Sequence, residues 1–149
     1  MPARQLCTFY LDGSLFGVDV TRVQEVIRAQ PRTRVPLASP MFAGLINLRG
    51  QIVTAIELRE RFSMPPRDEA TPPMNVVVRG EAGAVSLLVD EVHDVIDVDD
   101  ETFEPVPATV AADVRGALLG VHKLDRQILL VLDPDRIVGA GAESGRTAA

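Results

Sequence analysis

The chain has no tryptophan, one tyrosine and one cysteine, and only 4% of its residues are aromatic. With so few stacking platforms and a formal net charge of −6, a nucleic-acid binder is disfavoured, since such proteins present a basic footprint and aromatic faces. The lone Cys7 rules out an intramolecular disulfide and argues against a thiolate zinc site. No apolar run approaches the roughly 20 residues that span a bilayer. The opening stretch MPARQLCTFYLDG meets Asp12 before a signal-peptide apolar core is complete. The 149 residues therefore read as a soluble, cytosolic protein, long enough for one good core or two small fused ones.

Catalytic and metal-binding chemistry is also missing. His93 and His122 each sit among apolar neighbours, and Cys7 lies inside a strand pattern, so a Cys–His dyad has little support. Ser14, Ser39, Ser63, Ser86 and Ser144 lack a nucleophile-elbow context. The run from Asp97 to Glu101 imitates the start of a calcium loop, but Thr102 stands where that loop needs glycine and Ala108 where it needs glutamate. No glycine-rich phosphate cradle occurs. The expectation is a non-enzyme without metal or cofactor.

What the chain does have is short β-branched runs punctuated by Gly, Asp and Pro, the pattern of a small all-β protein with a few short helices. Leu6 to Leu11 and Leu15 to Val20 form a hairpin across Asp12-Gly13. Val23, Val26 and Ile27 recur at helical spacing behind Thr21, which predicts a short helix there. Val35 begins a loop through Pro36 and Pro40. Strands Leu45–Leu48 and Gln51–Leu58 then meet at an Arg49-Gly50 corner, and a helix from Glu57 to Phe62 follows. Residues 63–74 hold four prolines and read as a loop, an internal boundary or a mobile segment.

The second strand group, about 75–138, repeats the grammar of the first, about 5–62. Asn75–Arg79 and Ala84–Val89 flank a Glu81-Ala82-Gly83 turn. Val89 to Val98 predicts a bent strand with one face buried. A small-residue loop follows Glu104-Pro105-Val106-Pro107, then a hairpin of Ala117–Leu124 and Gln127–Leu132 across Asp125-Arg126. A helical turn over Asp133–Val138 precedes a disordered tail, 139–149. Two small closed barrels fit this pattern, with an open sandwich as the alternative.

Charge is unevenly placed. Residues 1–64 carry eight arginines and five acids, a net +3, whereas residues 65–149 carry six arginines and one lysine against sixteen acids, a net −9. Half of those sixteen acids fall between Asp90 and Glu104. This is either a solvated acidic face or one side of a platform for oriented protein contacts. Two polar features stand in apolar surroundings, Val23-Gln24-Glu25-Val26 and Asn47-Leu48-Arg49-Gly50. Gly50 supplies the freedom for a corner that displays Arg49, whose planar fork suits a carboxylate, with Glu25 the natural candidate.

These blocks carry a resemblance. FYLDGSLFGVDVTRVQEVIR (9–28), PMFAGLINLRGQIVTAIELRERF (40–62), LLVDEVHDVIDV (87–98), the segment 104–107 and GVHKLDRQILLVLD (120–133) follow one another in the order and spacing of the CheW family of bacterial chemotaxis coupling proteins. The chain resembles that family from about Gln5 to Val138. The resemblance implies two five-stranded SH3-like β-barrels sharing a hydrophobic core, with no catalytic activity. It implies a cytoplasmic adaptor, recruited to membrane-associated arrays, that bridges chemoreceptor tips and the regulatory domain of the histidine kinase CheA, with other CheW copies as further partners. Carried over by motif, Val23, Glu25 and Arg49 belong to the receptor-coupling region, with Glu25 and Arg49 paired. Gly44, Asn47, Leu48 and Ile52 shape the same surface, and Val92 and Val95 line it from the second barrel. The kinase-contacting residues stay unassigned. The sequence has neither the receiver domain of CheV proteins nor the kinase domains of CheA. An adaptor of a pilus, gliding or gene-regulating pathway, or a barrel that binds a small ligand, are the competing readings.

Overall fold

The computed structural model describes residues 4–137. Eleven strands are arranged in two sheets: β1 (Arg4–Leu11), β2 (Ser14–Asp19), β3 (Val23–Ile27), β4 (Phe42–Leu48), β5 (Gln51–Glu57), β6 (Met74–Gly80), β7 (Gly83–Val89), β8 (Glu91–Val98), β9 (Phe103–Glu104), β10 (Leu118–Lys123) and β11 (Ile128–Leu132). Two short helices, α1 (Leu58–Arg61) and α2 (Ala112–Arg115), lie between strands, and residues 134–137 are helical. One sheet runs β8-β1-β2-β11-β10-β9 and the other β3-β6-β7-β5-β4.

Each sheet curls until its edges are joined through the chain. In the first, β8 and β9 lie on opposite edges and are consecutive in sequence, linked by a 3-10 turn at Asp100–Thr102. Counted as one bent segment, they make this a five-stranded SH3-like barrel. In the second, the chain leaving β3 at one edge pairs Thr33 with Leu45 of β4 at the other. Gly44 permits that closure. It has φ 144°, and a Cβ on it would lie 2.6 Å from the Thr33 carbonyl oxygen.

Three apolar clusters hold the barrels together. Leu6, Leu15, Val98, Leu129 and Val131 fill the first barrel, and Ile46, Leu48, Val53, Ala55, Val77 and Leu88 fill the second. The largest cluster draws on both barrels, from Phe9 and Phe16 to Ile56, Val76 and Leu87. Phe16 centres a stack, with ring centroids 6.0 Å from Phe9 and 5.6 Å from Phe62 beyond α1. Strands buried on both faces read as unbroken apolar runs, which is why β6 and β7 lack alternation.

The structure corrects four expectations. Residues 23–27 are a strand: exposed Val26 imitates helical spacing, while the burial of Val23, Glu25 and Ile27 alternates as an edge strand's does. The preceding 3-10 turn is capped by Asp19, whose side chain accepts from the Thr21 N–H. The sheets do not divide at the Pro-rich loop, because β1 and β2 pair with strands from the second half of the chain. The +3/−9 division therefore does not separate the barrels. Helix α2 lies where only a small-residue loop was expected. Finally, the loop over 63–73 is pinned, with the Arg67 side chain 8% exposed and paired to Glu57 and Asp90. Asp133 caps the last helical turn, accepting from the Asp135 N–H at 3.0 Å, whereas Val138 and the expected tail at 139–149 lie outside the described residues.

Candidate functional site

The β4–β5 hairpin ends in a two-residue loop closed by the Leu48–Gln51 pair. Both loop residues have positive φ, 53° at Arg49 and 86° at Gly50, as a tight hairpin turn with the right strand twist demands. Asp12 and Gly13 make the same turn between β1 and β2, at 50° and 81°. Asp suits that backbone; Arg does so poorly, and holding it there costs about 1 kcal/mol. The Asn47 side-chain oxygen accepts from the Gly50 N–H at 3.0 Å and fixes the corner.

From this corner Arg49 reaches across the barrel closure to Glu25 on β3, with Nη1 to Oε2 at 3.1 Å. The two partners are unequal: the Glu25 side chain is 16% exposed and that of Arg49 is 78% exposed. A carboxylate set into the barrel wall thus steadies a guanidinium that faces outward. The contact is single rather than bidentate, and Arg49 makes no other side-chain hydrogen bond among the described residues. Most of its five N–H donors stay available to a partner.

Seven of the nine expected residues lie on this barrel: Val23 and Glu25 on β3, Gly44, Asn47 and Leu48 on β4, Arg49 at the turn, and Ile52 on β5. They divide by exposure. Ile52 opposes Asn47 and is 63% exposed, while Leu48 is buried in the barrel's own cluster and Gly44 serves closure. Leu48 and Gly44 thus position the corner without presenting a side chain. Val92 and Val95 lie on β8, in the other sheet. Val23 and Val92 both pack against the shared cluster, and Val95 is exposed. No hydrogen bond or ion pair among the described residues joins β8 to the Glu25–Arg49 corner.

A family profile described as "CheW-like domain" matches residues 5–141. The chain belongs to this CheW-like family. It is 28% identical to the chemotaxis protein CheW of Bacillus subtilis over 134 residues, covering 90% of this chain and 86% of that protein. It is 29% identical to CheW of Treponema pallidum over 136 residues, covering 87% and 78% of the two chains. Among solved structures, the crystal structure of scaffolding protein TtCheW from Thermoanaerobacter tengcongensis matches with a TM-score of 0.82 and 28% identity, covering 91% of this chain and 92% of that one.

Within the CheW-like fold a second polar constellation appears that the sequence reading missed. Asp90, between β7 and β8, is gripped by Arg59 at 2.6 and 3.0 Å and by Arg67 at 2.8 Å. The Asp12 N–H adds a bond of 2.7 Å. Arg67 also holds both Glu57 oxygens, at 2.8 and 3.1 Å. Burial alone would raise the Asp90 carboxyl, but Arg59, the Asp12 N–H and Arg67 outweigh it and bring its pKa down to about 2. This knot ties both barrels to the Pro-rich loop. The signal available in sequence was position: Asp90 directly follows the fully buried run Leu87-Leu88-Val89, unlike the exposed acids after it.

Cys7 and His122 are buried. Burial pushes the Cys7 thiol up, opposite to what an activated nucleophile needs. His122 is buried, contacts the Thr102 hydroxyl at 2.8 Å through Nδ1, and is pushed down by burial and by Arg4. His93 rests edge-on against Tyr10. Among the described residues no three His, Cys, Asp or Glu side chains gather as a metal site requires, and no helix is long and apolar enough to cross a membrane.

Proposed function

We propose that this CheW-like protein is a non-catalytic chemotaxis scaffold coupling the cytoplasmic tips of chemoreceptors to the regulatory domain of a CheA-type histidine kinase. The observation that carries this reading is the Glu25–Arg49 pair, a steadied and outward-facing cation at a strained corner. Exposed Val26 and Ile52 lie on the strands beside it. Val23 and Val92 both pack against the core common to both barrels, and Val95 is exposed on β8; on this reading they extend the docking surface. An amphipathic helical tip lays its apolar side on such a surface and its charged side against Arg49. The relatives named as chemotaxis proteins and the neighbour named as a scaffolding protein support the same role.

Individual contacts are expected to be modest in affinity, with array strength coming from many simultaneous contacts. The test is a pull-down with the folded, purified protein as bait and a receptor cytoplasmic fragment and a kinase regulatory domain as prey. Retention of both supports the scaffold. Retention of neither, at tens of micromolar, overturns it.

A further inference from the structure

Between Glu25 and Glu57 the chain has no acidic residue, yet it carries Arg28, Arg32, Arg34 and Arg49. In a chain of net charge −6 this is a local reversal of sign. Arg49 is engaged by Glu25. Among the described residues, Arg28, Arg32 and Arg34 have no acidic side chain within ion-pair distance, and all three are exposed.

The loop that carries Arg32 and Arg34 also displays Val35 and Leu37, the latter with 105% relative exposure. Leu37 has φ 65°, in the left-handed region that disfavours a side chain. A leucine that is both strained and fully exposed does nothing for the core, and such outliers mark functional segments.

This loop is held in place. Thr33 and Leu45 exchange backbone hydrogen bonds of 2.9 and 2.8 Å, and the Phe42 N–H bonds the Ser39 carbonyl at 2.9 Å. Pro31, Pro36 and Pro40 restrict the rest. A partner therefore meets a preorganised surface and loses little affinity to ordering it. Beside the loop lies a cleft of about 550 Å3 whose lining includes Arg32, Arg34, Val35, Ala38 and Phe42. Glu57 also lines it, but both its oxygens are taken by Arg67, so the unpaired charge of the lining is cationic.

We infer that the loop over 28–41 and its cleft form a second docking surface, for an acidic protein segment that sets carboxylates between Arg32 and Arg34 and an apolar side chain against Leu37. The surface neighbours the Arg49 corner without including it: Thr33, between Arg32 and Arg34, pairs with Leu45, four residues or roughly 13 Å of extended chain from Arg49. The inference rests on the loop's own charge and geometry and stands without the scaffold role. A protein segment suits the site better than an anionic bilayer, which a chain of charge −6 repels and which has no use for a concave cleft.

The test is a titration of the isotope-labelled full chain, followed by amide NMR, with a synthetic peptide Glu-Asp-Leu-Glu-Asp-Leu-Glu-Asp. Its lysine-for-acid counterpart and vesicles of phosphatidylglycerol and phosphatidylcholine are run in parallel. The acidic peptide is expected to shift amides within residues 30–43, and added salt to weaken it. Binding falls at least about tenfold in the double variant Arg32→Glu, Arg34→Glu. Leu37→Asn, which suits the left-handed backbone and preserves the fold, also weakens it. Absence of shifts at millimolar peptide, shifts centred elsewhere, equal binding of the lysine peptide, or binding to vesicles in place of the peptide would each overturn the inference. Loss of receptor or kinase binding with this titration intact would overturn the scaffold reading alone.

Discussion

The Arg49 guanidinium lies 3.1 Å from the Glu25 carboxylate and thereby ties the β4–β5 hairpin to β3, the opposite edge strand of the same sheet. It does so from a backbone conformation, φ 53°, that favours Asn or Gly. The two effects oppose each other in stability. The left-handed corner costs about 1 kcal/mol, and an exposed ion pair returns about 0–1 kcal/mol. On the proposed reading, the value of the corner lies in the cation it presents to a partner.

Arg49→Asn is therefore expected to leave the thermal midpoint unchanged or to raise it by about 2–4 °C, while weakening binding of a receptor fragment. Calorimetry and a binding titration on the same preparation check both halves. A fall in midpoint of more than a few degrees would show that the ion pair outweighs the strain.

Charge reversal tests the pair itself. Glu25→Arg is expected to reduce receptor coupling, and adding Arg49→Glu to restore part of it, with the stability coupling between the two sites about 0.2–1 kcal/mol. A double-mutant cycle on unfolding free energy and on receptor binding measures each part. A zero coupling in both would remove Glu25 from the site.

Gly44→Ala is expected to destabilise the protein by about 2–4 kcal/mol, because a Cβ would meet the Thr33 carbonyl at 2.6 Å in a backbone region that side chains rarely adopt. Chemical denaturation checks it. Loss of coupling in this variant follows from failed barrel closure, not from a lost receptor contact.

Asp90 couples the fold to acid. Its folded pKa, about 2, lies below the ordinary 3.8, so its contribution is fully present above that ordinary value and disappears as pH falls from about 4 toward 2. Asp90→Asn is expected to lower stability at neutral pH by about 2–3 kcal/mol, to flatten acid unfolding in that window, and to speed proteolysis within residues 63–73. An unchanged acid profile would contradict the role given to the knot.

His122 works in a higher window. Its pKa is held below 6.5 by burial first and Arg4 second, so the unfolded chain takes up the proton more readily. Stability is expected to be full above about pH 6.5 and to fall as pH drops toward the lowered folded value. Melting curves between pH 7.5 and 5.5, compared with those of His122→Gln, check it; identical slopes would exclude His122 as the cause.

The strands and turns were legible because their signals are local. Asp12-Gly13 and Arg49-Gly50 marked two of the hairpins, and the bent course of β8 showed in its mixed apolar pattern. Residues 23–27 misled because a single exposed valine, Val26, completes a helical spacing in a strand too short to show its period. The exchange of strands across the Pro-rich loop was not legible, since the parallel pairings of β2 with β11 and of β5 with β7 join distant segments that no local pattern links. At the candidate site, residue chemistry offered Glu25 as the candidate partner of Arg49, and the family resemblance implied the pair that the structure contains. The Asp90 knot was not legible, because its other members come from the β1–β2 turn, the end of β5, helix α1 and the Pro-rich loop, which no local pattern links.

The most direct measurement is kinase autophosphorylation in a reconstituted mixture of receptor, CheA-type kinase and this protein, with wild type compared to a folded Arg49→Ala variant. Wild-type protein should place kinase activity under receptor control, and Arg49→Ala should lose most of that control while its thermal midpoint stays close to wild type. Full receptor control with Arg49→Ala would contradict the coupling role of the Glu25–Arg49 corner.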